Sequence, residues 1–189
     1  MLSLPRKGRR AWLLAALLFS APAMAQIAER CAPCHGPDGT SGTPGTPSIA
    51  AQPKVYLENL LVLVREGVRG SEVMQQQMKG LSDREISALA THYSKQALRP
   101  TPGAADAALV KQGRLASAKY RCGICHLRDY RGRDGSPRIA GQREEFLVDI
   151  LRAFRDAPPH ASDANMTAAM YGVSDADISA MAHLLAHSP

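Results

Sequence analysis

The sequence has 189 residues, with 23 lysines and arginines against 17 acidic side chains and a formal net charge of +6. Four of the basic residues and none of the acidic ones lie within the first 25 positions, so residues 26–189 carry 19 basic and 17 acidic side chains, a balance of +2. This near-neutral balance argues against a nucleic-acid-binding protein, which needs a strongly basic face to contact phosphates.

The first 25 residues have the three parts of a secretory signal peptide. Four basic residues precede an apolar run at 11–19, and the sequence AMA at 23–25 supplies a small-x-small cleavage site. The pattern predicts export to the periplasm and a mature chain that begins at Gln26. The apolar run is short for a bilayer span, and an uncleaved N-terminal anchor stays open as the alternative.

All four cysteines lie in two CxxCH pentapeptides, CAPCH at 31–35 and CGICH at 122–126. Two thiols two residues apart, followed by a histidine, form the attachment pattern of a c-type haem. The alternatives are a CxxC disulfide and a zinc site built from the cysteine pairs, but both leave the two histidines without a role. The motifs therefore predict two covalent haem c groups, with thioether bonds and axial histidines supplied by Cys31, Cys34, His35, Cys122, Cys125 and His126.

The two halves of the chain align when they are placed by these motifs. The segment PSIAAQPKVYLENLLVLVREG from residue 47 matches PRIAGQREEFLVDILRAFRD from residue 137, and MQQQMKGLSDREISALATHY from residue 74 matches MTAAMYGVSDADISAMAHLL from residue 166. Offsets of 90 to 92 residues indicate a duplicated domain. Prolines and a glycine at 100–103 break any helix between the halves. We predict a signal peptide at 1–25, a first haem domain at 26–99, a linker at 100–105 and a second haem domain at 106–189.

Hydrophobic spacing and capping residues predict an all-α fold in both halves. Apolar residues recur at helical spacing in 55–66 and 144–155. Ser82 and Ser174 are N-cap candidates for helices at 83–95 and 175–187, each with an acidic residue three positions later. A further helix is predicted at 107–119, and no segment alternates for long enough to predict a sheet.

Each iron also needs a sixth ligand, and both halves place two methionines before the last predicted helix. Met74 and Met78 in the first half correspond to Met166 and Met170 in the second. A thioether is a soft, neutral ligand that favours ferrous iron, and it fills the site where dioxygen or peroxide would bind. Only one methionine per half can bind, and core packing is the alternative role. The rival ligands are histidines that lack a counterpart in register in the other half: His92, His160, His183 and His187.

The order of these features resembles class I cytochrome c, and its duplication resembles the di-haem cytochrome c4 family. The shared order is CxxCH, P-x-(I/L)-A-x-Q, an amphipathic helix, Met, (L/V)SDxxI and a closing helix, and it covers nearly the whole chain after residue 25. The resemblance implies two tandem class I cytochrome c domains, each wrapped around one haem. It selects Met74 and Met166 as the sixth ligands and leaves Met78 and Met170 as the fallback pair.

The same resemblance implies two further features. The carbonyls of Pro47 and Pro137 hold the Nδ1–H of the axial histidines, which increases the basicity of the ligand. The family also has an N-terminal helix before CxxCH, but a first half that starts at residue 26 offers only QIAER. Either the helix at 83–95 therefore exposes Ile86, Leu89 and Tyr93 as a docking surface, or a retained signal segment covers them.

These features predict a periplasmic electron-transfer protein that is not an enzyme. Each iron cycles between Fe(III) and Fe(II) and relays electrons from a donor dehydrogenase or membrane complex to an acceptor such as a terminal oxidase. The expected partners are redox proteins of the respiratory chain or a periplasmic dehydrogenase, with membrane association only through a partner or an uncleaved N-terminus. An arginine-rich stretch at 121–143 is either ordinary solvated surface or a basic rim that would steer an acidic partner. The alternatives are a cytochrome subunit held permanently in a dehydrogenase or oxidase complex, and a di-haem peroxidase, which needs an open iron site.

Overall fold

The computed structural model describes residues 26–99 and 103–189. Over these ranges the chain is helical or irregular, apart from an isolated β-bridge between Arg133 and Ser136, so the prediction of an all-α fold is confirmed. The elements are α1 (Ala32–His35), α2 (Lys54–Arg65), α3 (Glu72–Met78), α4 (Asp83–Ser94), α5 (Ala107–Lys119), a 3₁₀ turn (Cys122–Ile124), α6 (Glu144–Asp156), α7 (Ala164–Met170) and α8 (Asp175–Ala186). None of the helices in the described ranges is long and apolar enough to cross a membrane. The predicted signal peptide and residues 100–102 of the predicted linker lie outside them.

Side-chain caps explain where the closing helix of each half begins. The Ser82 hydroxyl accepts the N–H of Glu85, and the Glu85 carboxylate accepts the N–H of Ser82 at 2.7 Å, which completes a capping box at α4. Ser174 caps α8 by accepting the N–H of Asp177. The predicted starts at 83 and 175 are therefore confirmed, and both helices end one residue before the predicted ends at 95 and 187.

Each half packs its helices around a core of its own. In the first half α2 packs against α3 and α4, around a core that includes Leu57 and Leu89. In the second half α6 packs against α7 and α8 in the same way, and α5 additionally crosses α8. That crossing is close because residue 113 is a glycine, and a Cβ at Gly113 would lie 2.3 Å from the carbonyl oxygen of Ala180. The second domain is thus completed by a helix that precedes its CxxCH motif.

Of the two alternatives for the first closing helix, the exposed apolar face is wrong, and the retained signal segment lies outside the described residues. Ile86, Leu89 and Tyr93 are only 1%, 1% and 3% exposed. Residues spaced by three and four positions share one face of a helix, and here that face packs in the core with α2 and with residues 27 and 28. The Tyr93 hydroxyl donates to the carbonyl of Ala28 at 3.2 Å. The open side of α4 lines a groove formed mainly by polar residues, among them Arg84, Ser87, Thr91 and His92.

The two halves meet through the loops that follow their CxxCH motifs. Hydrogen bonds join residues 48 and 52 of the first half to residues 142 and 138 of the second half. Leu98, at the end of the first half, lies beside Gly141, where a Cβ would come within 2.9 Å of the leucine side chain. The loops that follow the histidines are therefore also the surfaces through which the halves contact each other.

Candidate functional sites

Each CxxCH motif forms a turn that brings its first cysteine and its histidine to the same side of the chain. In the first half the N–H of His35 donates to the carbonyl of Cys31 at 2.9 Å, and in the second the N–H of His126 donates to that of Cys122 at 3.1 Å. The first cysteine of each pair is half-buried and the second is exposed. Burial raises the pKa of the Cys31 and Cys122 thiols, so both keep their proton at neutral pH.

Both histidines are held in the same tautomer by a proline carbonyl. Nδ1 of His35 lies 2.8 Å from the carbonyl oxygen of Pro47, and Nδ1 of His126 lies 2.8 Å from that of Pro137. A carbonyl oxygen only accepts, so Nδ1 carries the proton and donates, which leaves the lone pair of Nε2 free to bind a metal ion. Burial lowers the pKa of both imidazoles, and the hydrogen bond to the proline only partly opposes this effect. Both rings are therefore neutral at neutral pH, the form in which histidine binds iron.

The loop that carries each proline is anchored to the rest of its half by a matched set of backbone hydrogen bonds. In the first half the carbonyl of Gly39 accepts the N–H groups of Ile49 and Ala50 at 2.8 and 3.0 Å. The carbonyl of Tyr130 accepts the two equivalent bonds at 2.9 and 3.0 Å. The next N–H of each loop donates to a carbonyl of the closing helix, at 3.0 Å for α4 and 2.8 Å for α8. The proline carbonyls are thus held in place relative to the helices.

The structure separates the two methionines of each half by their burial. Met78 and Met170 are 3% and 2% exposed and belong to the hydrophobic cores. Met74 and Met166 lie one turn earlier in α3 and α7, and each is half-buried at the margin of the same core. The first cysteine of each CxxCH motif borders that core as well. In each half the first cysteine and the first methionine therefore both border the core, while the second methionine packs inside it.

The rival ligand His183 is engaged at both ring nitrogens in a different task. Its Nε2 accepts the N–H of Asp106 at 2.8 Å, so Nδ1 carries the proton and donates to the Glu144 carboxylate at 3.0 Å. Glu144, His183 and His187 bring ligand atoms within 4.8 Å of one another. If Nδ1 of His183 bound a metal ion, the ring proton would lie on Nε2 and would meet the Asp106 N–H. These hydrogen bonds therefore connect the start of α5 to α8, and the cluster is not a metal site. Of the other rival ligands, His92 lies on the open side of α4 and His160 lies on the surface after α6.

The groups around each core fit a covalently bound haem. Each half supplies two thiols, an imidazole with a free Nε2 and a half-buried thioether. The second half adds two half-buried arginines, Arg138 and Arg143, and burial lowers the pKa of Arg138. Nε of Arg143 is buried and has no hydrogen-bond partner in the described part of the chain. A buried guanidinium N–H of this kind suits a carboxylate such as a porphyrin propionate. The matching positions of the first half hold Ser48 and Pro53, so the two sites differ in charge.

Two buried glutamines are the candidate functional residues that the sequence analysis missed. Gln52 and Gln142 are 5% and 4% exposed, and the side chain of each reaches the backbone next to the proline of the opposite half. Both end the P-x-I-A-x-Q segment, so the repeat was visible in the sequence. The pattern could not show which backbone groups the amides contact, because their partners lie in the other half.

This chain is similar to known proteins along most of its length. Residues 21–92 match the family described as cytochrome c oxidase, cbb3-type, subunit III. The thiosulfate dehydrogenase electron acceptor of Thiomonas intermedia (strain K12) is 31% identical over 191 aligned positions, which cover 93% of this chain and 88% of that protein. Cytochrome c-552 of Acidithiobacillus ferridurans is 28% identical over 148 positions, 72% of this chain and 64% of that one.

Solved structures extend the similarity to both halves. Reduced recombinant cytochrome c4 from Pseudomonas stutzeri has a TM-score of 0.80 at 27% identity, covering 89% of this chain and 98% of that chain. Cytochrome c4 from Acidithiobacillus ferrooxidans shares the fold with a TM-score of 0.74 at 23% identity, over 85% and 99% of the two chains. Thiosulfate dehydrogenase (TsdBA) from Marichromatium purpuratum, in its as-isolated form, shares it with a TM-score of 0.71 at 24% identity, over 88% of this chain and 39% of the longer one.

Proposed function

We propose that this chain, which belongs to the di-haem class I c-type cytochromes of the cytochrome c4 family, is an electron carrier with no substrate of its own. The protein binds two covalent haem c groups, one in each of two class I domains. The haem iron supplies one-electron chemistry when it cycles between Fe(III) and Fe(II). We place the two domains at 26–99 and 106–189, with the linker at 100–105.

The geometry of this chain supports the following ligands for each iron. The two thiols of each CxxCH motif hold the porphyrin as thioethers. His35 and His126 bind iron through Nε2, because their Nδ1–H groups donate to proline carbonyls at 2.8 Å. Met74 and Met166 are the sixth ligands, because each is half-buried and borders the same core as the first cysteine of its half, whereas Met78 and Met170 are packed inside that core.

The proposal rests on one observation: the two halves place the same two ligand types, a histidine and a methionine, in equivalent positions. Each has a buried imidazole with Nε2 available, and each has a half-buried methionine at the matching position. A peroxidase needs one iron whose sixth site is open or easily vacated, and a methionine in that place raises the potential and blocks access. Two equivalent sites of this kind favour two low-reactivity carriers over a carrier and a catalytic centre.

Absorption spectroscopy of the purified protein tests this assignment. We expect two haems per chain and low-spin spectra in both oxidation states. The ferric protein should also show the weak near-infrared band of sulfur-ligated iron, with the intensity of two such haems. A high-spin ferric signal together with turnover of peroxide would refute the carrier function in favour of the peroxidase.

We propose that the electron donor is a periplasmic dehydrogenase, with thiosulfate dehydrogenase as the first candidate. Support comes from the relative named as the electron acceptor of that enzyme and from the TsdBA structure that shares this fold. The acceptor would be a terminal oxidase or another redox protein of the respiratory chain. The second domain supplies a docking surface, because four arginines around its motif are exposed: Arg121, Arg128, Arg131 and Arg133.

The donor and the docking surface are tested together by reduction kinetics. Positive charge around the second haem steers an acidic partner, so the rate constant for reduction by thiosulfate dehydrogenase should fall as salt screens the charges. A charge-reversal variant, Arg128→Glu, should be slower at low salt and should approach the parent rate at high salt. No electron transfer from that enzyme would refute the donor, and a rate independent of salt would refute the docking surface.

We further propose that the chain is exported to the periplasm by residues 1–25 and acts there as a freely diffusing carrier. The expected mass is that of a chain starting at Gln26 with two haems attached, recovered in the periplasmic fraction. A full-length chain in the membrane fraction would support the uncleaved anchor instead. Co-purification with a large dehydrogenase or oxidase would support a permanent subunit.

A further inference from the structure

Two glutamines join the domains through hydrogen bonds that follow the internal duplication. Gln142 accepts the N–H of Ser48 through Oε1 at 2.7 Å and donates from Nε2 to the Ser48 carbonyl at 2.9 Å. Gln52 contacts Arg138 in the same way, accepting its N–H at 2.9 Å and donating to its carbonyl at 2.8 Å. Because each amide meets both backbone groups of one residue, its orientation is determined by its partners.

The N–H that each glutamine accepts belongs to the same peptide group as the carbonyl that holds an axial histidine. In the first domain the Pro47 carbonyl accepts Nδ1–H of His35 at 2.8 Å. The N–H at the other side of that peptide group is the Ser48 N–H, which donates to Gln142 at 2.7 Å. The second domain repeats the arrangement with distances of 2.8 and 2.9 Å. A continuous hydrogen-bond chain therefore runs from the imidazole of one domain to a side chain of the other.

We propose that each glutamine tunes the reduction potential of the haem in the opposite domain, an inference that rests on the histidine ligation proposed above. A peptide group whose N–H donates a hydrogen bond is polarised, and its carbonyl becomes a stronger acceptor. A stronger acceptor at Nδ1–H makes the imidazole a more basic ligand, which stabilises ferric iron and lowers the potential. Gln142 acts in this way on His35, and Gln52 acts on His126. Both glutamines are positioning residues that work through a peptide group.

The two hydrogen-bond chains differ in two respects. Oε1 of Gln142 accepts a second bond, from the N–H of Arg143 at 2.9 Å. Oε1 of Gln52 accepts only the N–H of Arg138 within the described residues. An acceptor shared by two donors polarises each of them less, but the bond to Gln142 is also the shorter one, at 2.7 Å against 2.9 Å for Gln52, which acts in the opposite direction. Because the two hydrogen-bond chains differ in these respects, the domain contact acts differently on the potentials of the two haems.

Single substitutions in the full-length holoprotein test the crossed effect. Gln142→Met and Gln52→Met keep a side chain of similar volume but remove both hydrogen bonds. Proton NMR of the ferrous protein reports the Nδ1–H of each axial histidine, and a redox titration followed through resolved haem resonances gives each potential. We expect Gln142→Met to move the His35 Nδ1–H upfield and to raise the potential of the first haem alone. Gln52→Met should act in the same way on His126 and the second haem alone. The matched control Gln112→Met, at an exposed position of α5, should change neither.

The crossed pattern distinguishes this relay from a loosened domain contact. Equal shifts of both haems, shifts confined to the mutated domain, or no shift in either variant would overturn the inference. If a methionine variant does not incorporate haem, Gln142→Asn keeps a polar amide but shortens the side chain by one methylene, which withdraws the amide oxygen from the Ser48 N–H and should move the His35 Nδ1–H upfield; a downfield or absent shift would overturn the inference as well. A parent protein in which His35 and His126 do not ligate iron would instead refute the proposed function.

Discussion

Truncating the two methionines of the second domain separates iron ligation from core packing. Met170 is 2% exposed and lies in a core with Val173, Ile178 and Met181. Met170→Ala therefore removes side-chain atoms from a packed interior and leaves a cavity. Met166 lies at the margin of that core, so Met166→Ala removes less packing and, by our assignment, the sixth ligand of the iron.

The two truncations should differ in their cost to stability. Deleting a buried methionine side chain to alanine costs about 2–5 kcal/mol, because the lost transfer energy and the cavity add. Met170 is almost wholly buried, so we expect about 3–5 kcal/mol for Met170→Ala, in the upper part of that range. At about 4–8 °C per kcal/mol for a domain of 60–100 residues, its Tm falls by more than about 10 °C. Met166→Ala loses less packing energy, because the parent side chain is only half-buried.

The near-infrared band of the ferric protein distinguishes the two roles. Met166→Ala should remove half of the band, since one of two irons loses its sulfur ligand, and should lower the potential of the second haem. Met170→Ala should keep the whole band below its reduced Tm. Met74→Ala and Met78→Ala form the matched pair in the first domain. Loss of half the band in Met170→Ala, with a full band in Met166→Ala, would refute the ligand assignment and favour the fallback pair.

Two further substitutions test the packing and the electrostatics around α8. Gly113→Ala would place a Cβ 2.3 Å from the Ala180 carbonyl oxygen, so we expect the free energy of unfolding measured in urea to fall by about 1–3 kcal/mol. Gly42→Ala is the control, because its Cβ would meet nothing within 4 Å. Equal losses in the two variants would contradict the close contact between α5 and α8. A hydrogen bond from Arg155 holds the pKa of Asp175 below its usual value. The ionised Asp175 therefore stabilises the folded protein above about pH 4, and this stability is lost as the pH falls through the lowered pKa. Asp175→Asn should make the urea midpoint less dependent on pH between about 5 and 2, and an unchanged dependence would count against this ion pair.

The helices could be predicted from the sequence because their signals are local. Ser82 and Ser174 reach N–H groups three residues away, so the same short pattern starts α4 and α8 wherever the rest of the chain lies. The CxxCH turn is equally local, since its closing hydrogen bond joins residues four positions apart. Repetition of these short patterns at one offset was sufficient to predict two domains of the same fold.

The buried face of α4 shows what local patterns cannot predict. The absence of a full helix before the first motif left two alternatives for Ile86, Leu89 and Tyr93: exposure, or cover by a retained signal segment. These residues form one face of α4, but α2 and residues 27 and 28 bury that face. Helical periodicity identifies which residues share a face, and it does not identify the partner that covers the face.

By itself the sequence determined the two haem attachment motifs and the duplicated all-α plan, because thiol spacing and helix periodicity depend on residues close together in the chain. Only the tertiary structure decided which methionine of each pair is packed inside a core and which lies at its margin. It alone decided that Gln52 and Gln142 bind the opposite domain, through contacts that join residues 86 and 94 positions apart. Such contacts depend on how two folded surfaces meet, and no short-range pattern in the chain specifies that geometry.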